Sequence, residues 1–303
     1  MKRVLTALLL VPLVLAAVFW TPIWIFSLLV GAVALLALHE FLHIAEQSGI
    51  AVFRPLAMVL VALLFVAFPY FAGHDATVGL YPARVLVVPE SALLVLLGTL
   101  ACVFLALTLG LRRDDLGGSL AAAATTTLAI PYIAMTLGSL VLLRDLRYGP
   151  WLLLYLFVVV WSGDIFAYYT GRALGRHLMA PRISPKKTLE GAVASFAGSV
   201  ALGVVMFLFM PELTGWLVRI HALTFAAPRV PPLVDAIALS ALLNVAAQTG
   251  DLVESMIKRG AGVKDSGTLL PGHGGVLDRI DALLFAAPLL WYYAFLSPTF
   301  HPL

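Results

Sequence analysis

Long runs rich in Leu and Val, nearly free of charge and separated by short gaps marked with Pro and Gly, set the pattern of this chain. The pattern predicts nine helical spans, at residues 4–20, 23–45, 55–73, 90–111, 118–143, 150–171, 190–210, 232–257 and 280–296. The fold class expected is all-α, a polytopic integral membrane helix bundle in one membrane domain over residues 1–303. Residues 1–149 supply helices for packing, dimer or lipid contact, and 150–303 supply catalytic helices and cytoplasmic loops.

Polar residues inside the spans are few, so their spacing is informative. Asn244, Gln248, Asp251, Ser255 and Lys258 recur at intervals of four and three, so one face of the eighth span stays polar from mid-membrane to its end. Such a face does not suit lipid. At 1.5 Å per residue Asp251 sits roughly 10 Å below Lys258, which implies a water-accessible funnel, with a structural seam between helices as the alternative. Asp164, with Tyr168 one turn on, must face the bundle interior, either in a functional role or paired with a basic residue of the next loop. Gly191, Ser195, Ser199 and Gly203 form a helix-packing stripe in the seventh span, and Pro131 marks a kink in the fifth.

Composition agrees with this picture: 62% of the 303 residues are hydrophobic and only 12% charged, and the mean hydropathy is +1.02. The single Cys102 excludes an intramolecular disulfide. The basic start, Lys2-Arg3, and the following apolar run read as a retained helix rather than a cleaved signal. With the N-terminus cytoplasmic, fourteen of the Lys and Arg residues fall on the cytoplasmic side and five on the other, as the positive-inside rule expects.

Candidate chemistry concentrates between Gly250 and Ala282, where nine charged residues surround Pro271-Gly272-His273-Gly274-Gly275. Glycines there would let backbone N–H groups approach an anion. Asp278 and Asp281 project from one face of the ninth helix's first turn, opposite Asp251; together they could be oxygen ligands for a hard divalent cation such as Mg2+. In the preceding cytoplasmic loop, Ser184-Pro185-Lys186-Lys187-Thr188 runs into a helix start that favours anions. A different reading attaches to His39-Glu40-Phe41-Leu42-His43. It matches the helical H-E-x-x-H pattern, and so raises an intramembrane zinc metalloprotease using His39, Glu40 and His43.

The stretch S-M-I-K-R-G-A-G-V-K-D-S-G-T-L-L-P-G-H-G-G-V-L-D-R-I-D resembles the signature of the phosphatidate cytidylyltransferases, or CDP-diacylglycerol synthases. W-S-G-D-I-F-A-Y-Y-T-G-R and S-P-K-K-T-L-E-G resemble that family's two other characteristic segments. The likeness runs from Trp161 to Asp281 and is weak before residue 150; Gly260 departs from it, where an acidic residue or Asn is commoner. It implies transfer of the cytidylyl group of CTP to phosphatidic acid, giving CDP-diacylglycerol and pyrophosphate, with Mg2+ as cofactor and the presence of a second cation open. It also implies a homodimer in a bacterial-type inner membrane, an active site facing the cytoplasm, and no nucleic acid partner. The resemblance makes Asp251 and Asp278 the principal metal ligands, with Asp281 beside them, and Asp251, Asp278, Lys264 and His273 catalytic. Ser184, Lys186, Lys187, Thr188, Ser255, Lys258, Arg259, Asp265, Gly272, Gly274, Gly275, Arg279, Asp164 and Tyr168 are the expected substrate contacts.

Overall fold

A computed structural model describes the chain except for residues 1, 72–74, 81–83, 114, 228, 229, 231, 270–273, 298, 299 and 301–303. Eleven α-helices dominate it: α1 (Lys2–Trp20), α2 (Ile23–Gln47), α3 (Arg54–Phe71), α4 (Glu90–Gly110), α5 (Leu116–Ala129), α6 (Thr136–Asp145), α7 (Gly149–Leu174), α8 (Leu189–Leu208), α9 (Met210–Arg219), α10 (Leu233–Gly260) and α11 (Leu277–Leu296). Among the described residues, seven segments are long and apolar enough to cross a membrane, with α5 and α6 counting as one; Leu10–Trp20 and Arg54–Tyr70 are shorter apolar helices. The chain is therefore an all-α integral membrane bundle, with seven segments of membrane-crossing length among the described residues against the nine spans expected.

Where α5 meets α6, Ile130–Met135 forms a π-helical turn with Pro131 at its start. Proline has no N–H and its ring crowds the carbonyl one turn back, so the helix widens here instead of continuing regularly. Two short antiparallel hairpins were absent from the sequence reading: β1 (Asp75–Leu80) with β2 (Arg84–Pro89), and β3 (Leu178–Ala180) with β4 (Ser184–Thr188). The amphipathic α9, also unexpected, lies at the end of the bundle away from β3–β4, where Trp20 Nε1 donates to the Ile220 carbonyl.

α7 packs along α8, and α10 lies against both α8 and α11, so these four helices form one compact unit. The predicted small-residue stripe on α8 is what brings them together. Asn244 Nδ2 donates to Ser195 Oγ at 2.9 Å and Ser199 Oγ at 2.8 Å, and Gln248 Nε2 donates to Asn244 Oδ1 at 2.6 Å. A Cβ at Gly163 would come within 2.7–2.8 Å of Asn244 Nδ2 and both serine hydroxyls, so only glycine permits this crossing. The N-terminal helices are tied in through α2 and α6, both of which contact α11.

Candidate active site

The polar stripe on α10 divides into two parts. Its mid-membrane end, with Asn244 only 1% exposed, is the interhelical seam just described rather than a funnel. From Asp251 onward it opens. A cavity of about 500 Å³ lies between α7, α8 and α10 under the β3–β4 hairpin, lined by Asp164, Tyr168, Arg172, Lys186, Lys187, Thr188, Gln248 and Asp251. Lys187 Nζ reaches Asp251 Oδ2 at 2.5 Å, and both side chains are partly exposed. The S-P-K-K-T segment is thus strand β4, not an open loop. Thr188 ends it by capping α8, its hydroxyl accepting the Gly191 N–H at 3.2 Å, while Glu190 holds the hairpin's base through His177 Nδ1 at 2.6 Å.

Asp281, on α11, sits within electrostatic reach of Asp251 and Asp164. Helix α11 comes close because Gly250 has no Cβ to strike the Asp281 carbonyl. Carboxylates from α7, α10 and α11 therefore influence one another electrostatically, with Lys187, Arg279 and Lys258 as the cations that bear on them. Ser255 is buried, its hydroxyl 3.5 Å from Asp251 Oδ1. Tyr168 is exposed, its hydroxyl accepting from Arg172 Nη1 at 3.4 Å.

One turn beyond, Lys258 bridges two acids: its Nζ contacts Asp278 Oδ1 and lies 2.6 Å from Glu254 Oε2. Glu254 is fully buried, and its Oε1 has no hydrogen-bond partner among the described residues. Asp278 Oδ2 accepts the N–H groups of Ser266 at 3.0 Å and Gly275 at 2.8 Å. This changes the role expected of the glycine-rich segment. The Gly275 N–H points at Asp278, and Gly274 has φ +80° with space beside it taken by the same carboxylate, so these glycines accommodate a side chain of the protein. Gly272 and His273 lie outside the described residues.

The oxygen-only donor set Asp251, Asp278 and Asp281 suits a hard divalent cation in charge and type. Among the described residues, however, no three His, Cys, Asp or Glu side chains are gathered tightly enough to hold an ion. Asp278 is turned to Lys258 and to backbone donors, so it would join Asp251 and Asp281 only by loosening the Lys258 contact. Arg259 is exposed and structural in its contacts, Nη1 donating to the Val263 carbonyl at 2.7 Å and Nε to that of Ile183 at 3.3 Å. Lys264 and Asp265 line a second cavity of about 600 Å³ together with His39, Glu40, His43, Gln47 and Ser266. Of the expected site residues, Asp164, Tyr168, Lys186, Lys187, Thr188 and Asp251 thus line the first cavity, and Lys264 and Asp265 the second.

The geometry around His39 and His43 departs from a metalloprotease. His39 Nδ1 lies 2.8 Å from Arg54 Nη1, His43 Nε2 lies 3.0 Å from Gln47 Nε2, and Glu40 is 6% exposed with both oxygens engaged by the start of α11. A general base needs a free oxygen beside the metal-bound water, and Glu40 accepts three hydrogen bonds instead. The sequence singles out Glu40 only within the H-E-x-x-H pattern, and neither Glu40 nor Glu254 is among the residues it assigns to cytidylyl transfer. The available signal was that any acid inside an apolar span needs a partner, although nothing local named it.

Comparison with known proteins accounts for the same segments. A phosphatidate cytidylyltransferase of Haemophilus influenzae is 34% identical over 306 aligned positions, covering 97% of this chain and 98% of the relative. Proteins of that name from Brucella abortus and Bacillus subtilis are 45% and 41% identical over shorter stretches, 54% and 55% of this chain. Those alignments span about half the length of each relative, 54% and 56%. A sequence model described as the Cytidylyltransferase family matches residues 1–297. With its paired lysines and carboxylates set at one end of a membrane helix bundle, the chain belongs to the Cytidylyltransferase family.

Proposed function

We propose that this protein transfers the cytidylyl group of CTP to phosphatidic acid, releasing pyrophosphate and forming CDP-diacylglycerol for phospholipid biosynthesis. The observation that carries the reading is the pairing of Lys187 with Asp251 and Lys258 with Asp278, side by side at one end of four glycine-packed membrane helices. Relatives named phosphatidate cytidylyltransferase, including one matched over nearly its whole length, support it.

Phosphatidic acid carries a phosphate monoester whose second pKa is about 6, so it is largely a dianion at neutral pH and needs no general base. Its oxygen forms a new bond to the α-phosphorus of CTP while the bond from that phosphorus to the diphosphate oxygen breaks, and pyrophosphate leaves with that electron pair. Repulsion between the two phosphates is the main obstacle, so the protein's task is neutralisation and in-line orientation. Lys186, Lys187 and Arg172, around the first cavity, are placed to hold phosphate oxygens. Exposed Ile165, Tyr169 and Val193 beside it offer apolar surface to the acyl chains. Mg2+ held by Asp251, Asp281 and Asp278 would supply further charge neutralisation when bound. The site opens to the cytoplasm of a bacterial-type inner membrane, the side that collects most Lys and Arg. The homodimer implied by the family resemblance belongs to the same proposal.

The test is radiolabelled CTP with phosphatidic acid vesicles and purified protein, with and without Mg2+. Liponucleotide should form only with the cation, Asp251→Asn should abolish it, and His39→Ala should leave it intact. A radiolabelled protein trapped from [α-32P]CTP would overturn the direct displacement.

A further inference from the structure

The H-E-x-x-H segment, which the cytidylyltransferase reading leaves without a role, contains the most fully engaged buried carboxylate of the site region. Glu40 stands near the end of α2, 6% exposed, and reaches across to the start of α11. Its Oε1 accepts the Val276 N–H at 2.9 Å, and its Oε2 accepts the Leu277 N–H and the Ser266 hydroxyl, each at 2.8 Å. Those two N–H groups belong to the unpaired donors at a helix start, where α11 has no side-chain cap of its own. Glu40 is therefore a cap delivered from another helix, its negative charge set at the favourable end of the α11 dipole.

What makes this more than a brace is Ser266. Its hydroxyl binds Glu40, while its backbone N–H binds Asp278 Oδ2, as does the N–H of Gly275, the residue preceding Val276. Both backbone donors that aim Asp278 are thus fixed by, or adjacent to, groups that Glu40 holds. The glycines agree. A Cβ at Gly267 would lie 2.6 Å from Glu40 Oε1, and one at Gly275 would collide with Glu40 and Ser266.

We infer that Glu40 is a positioning residue for the cytidylyl transfer: by clamping Ser266, Val276 and Leu277 it fixes the loop donors that orient Asp278 against Lys258. The inference rests on the proposed role of Asp278. Glu40 acts through that loop, its own oxygens being taken up by protein donors.

The full chain, purified and placed in phosphatidic acid vesicles, tests it with Glu40→Gln, Glu40→Asp, Ser266→Ala and Asp278→Asn. The amide of Glu40→Gln sets an NH2 group against at least one N–H donor. Its kcat should fall about 10- to 100-fold, the range typical for residues that orient a ligand, with KM for phosphatidic acid unchanged. Hydrogen exchange at Val276 and Leu277 should quicken while α7 and α8 exchange as before. Glu40→Asp, which keeps the charge, should recover part of the rate, and Glu40→Gln with Ser266→Ala should lose less than the product of the two single losses. A wild-type kcat in Glu40→Gln, or faster exchange without any loss of rate, overturns the positioning role while leaving the function intact. A wild-type rate in Asp278→Asn instead overturns the reading of Asp278 on which the inference stands.

Discussion

Lys187 and Lys258 each hold one carboxylate of the site, yet replacing them should have opposite consequences. The Lys187–Asp251 pair is 27% and 36% exposed at its side chains, so water screens it and its net worth is about 1 kcal/mol at most. Lys258, 11% exposed, sits between Asp278 and the fully buried Glu254. Removing it leaves two acids facing one another without a cation, at a cost of roughly 3–5 kcal/mol. Lys187→Gln should therefore melt within a few degrees of the parent in detergent while losing about 10²-fold in kcat, the scale of one lost charge-stabilising donor. Lys258→Met should lower the melting temperature sharply. Equal stability of the two variants would contradict this division. The contrast also marks what the sequence made legible: Asp251 and Lys187 stood out as charges at span ends, whereas Glu40 stood out only within a metal-binding pattern and Glu254 only as one charge among nine. Glu40 meets Val276 across 236 positions, and no local spacing encodes such a contact.

Among the elements, the spans were legible because a helix in lipid must satisfy its backbone internally and cover it with about twenty apolar residues, which leaves a long, plain pattern. The β3–β4 hairpin was not, because five strand residues that include Pro185, on a polar surface, carry no alternation strong enough to distinguish strand from loop. The seam joining α7, α8 and α10 was half legible: the stripe of Gly191, Ser195, Ser199 and Gly203 announced packing, but its partner Asn244 read as part of a funnel, with a seam as the alternative. Asn244→Leu separates the two roles. Interhelical hydrogen bonds in membranes average about 0.6 kcal/mol and reach about 1.7, so unfolding in detergent should show a loss under about 2 kcal/mol. Because Asn244 is 1% exposed and lies a full helical turn below Gln248, KM for CTP should not change. A raised KM would return Asn244 to the substrate path.

For the molecule as a whole, the arrangement of charge predicts an orientation that can be measured. Lys186, Lys187, Lys258, Arg259 and Lys264 gather at the end of the bundle where α10 finishes and α8 begins, while Trp20, Arg144, Arg147 and His221 border a cavity at the other end. The positive-inside rule expects the end richer in Lys and Arg to face the cytoplasm, as the proposed reaction requires. The chain brings its own control for testing this. Cys102 is its only cysteine and is fully buried, so a membrane-impermeant maleimide should leave the parent unlabelled. Lys264→Cys and His221→Cys place one exposed thiol at each end of the bundle. In intact bacterial cells the His221→Cys variant should label at once, and Lys264→Cys only after the membrane is permeabilised. The reverse order would put the carboxylate–lysine pairs on the outer face, away from cytoplasmic CTP, and the proposed reaction could not proceed there.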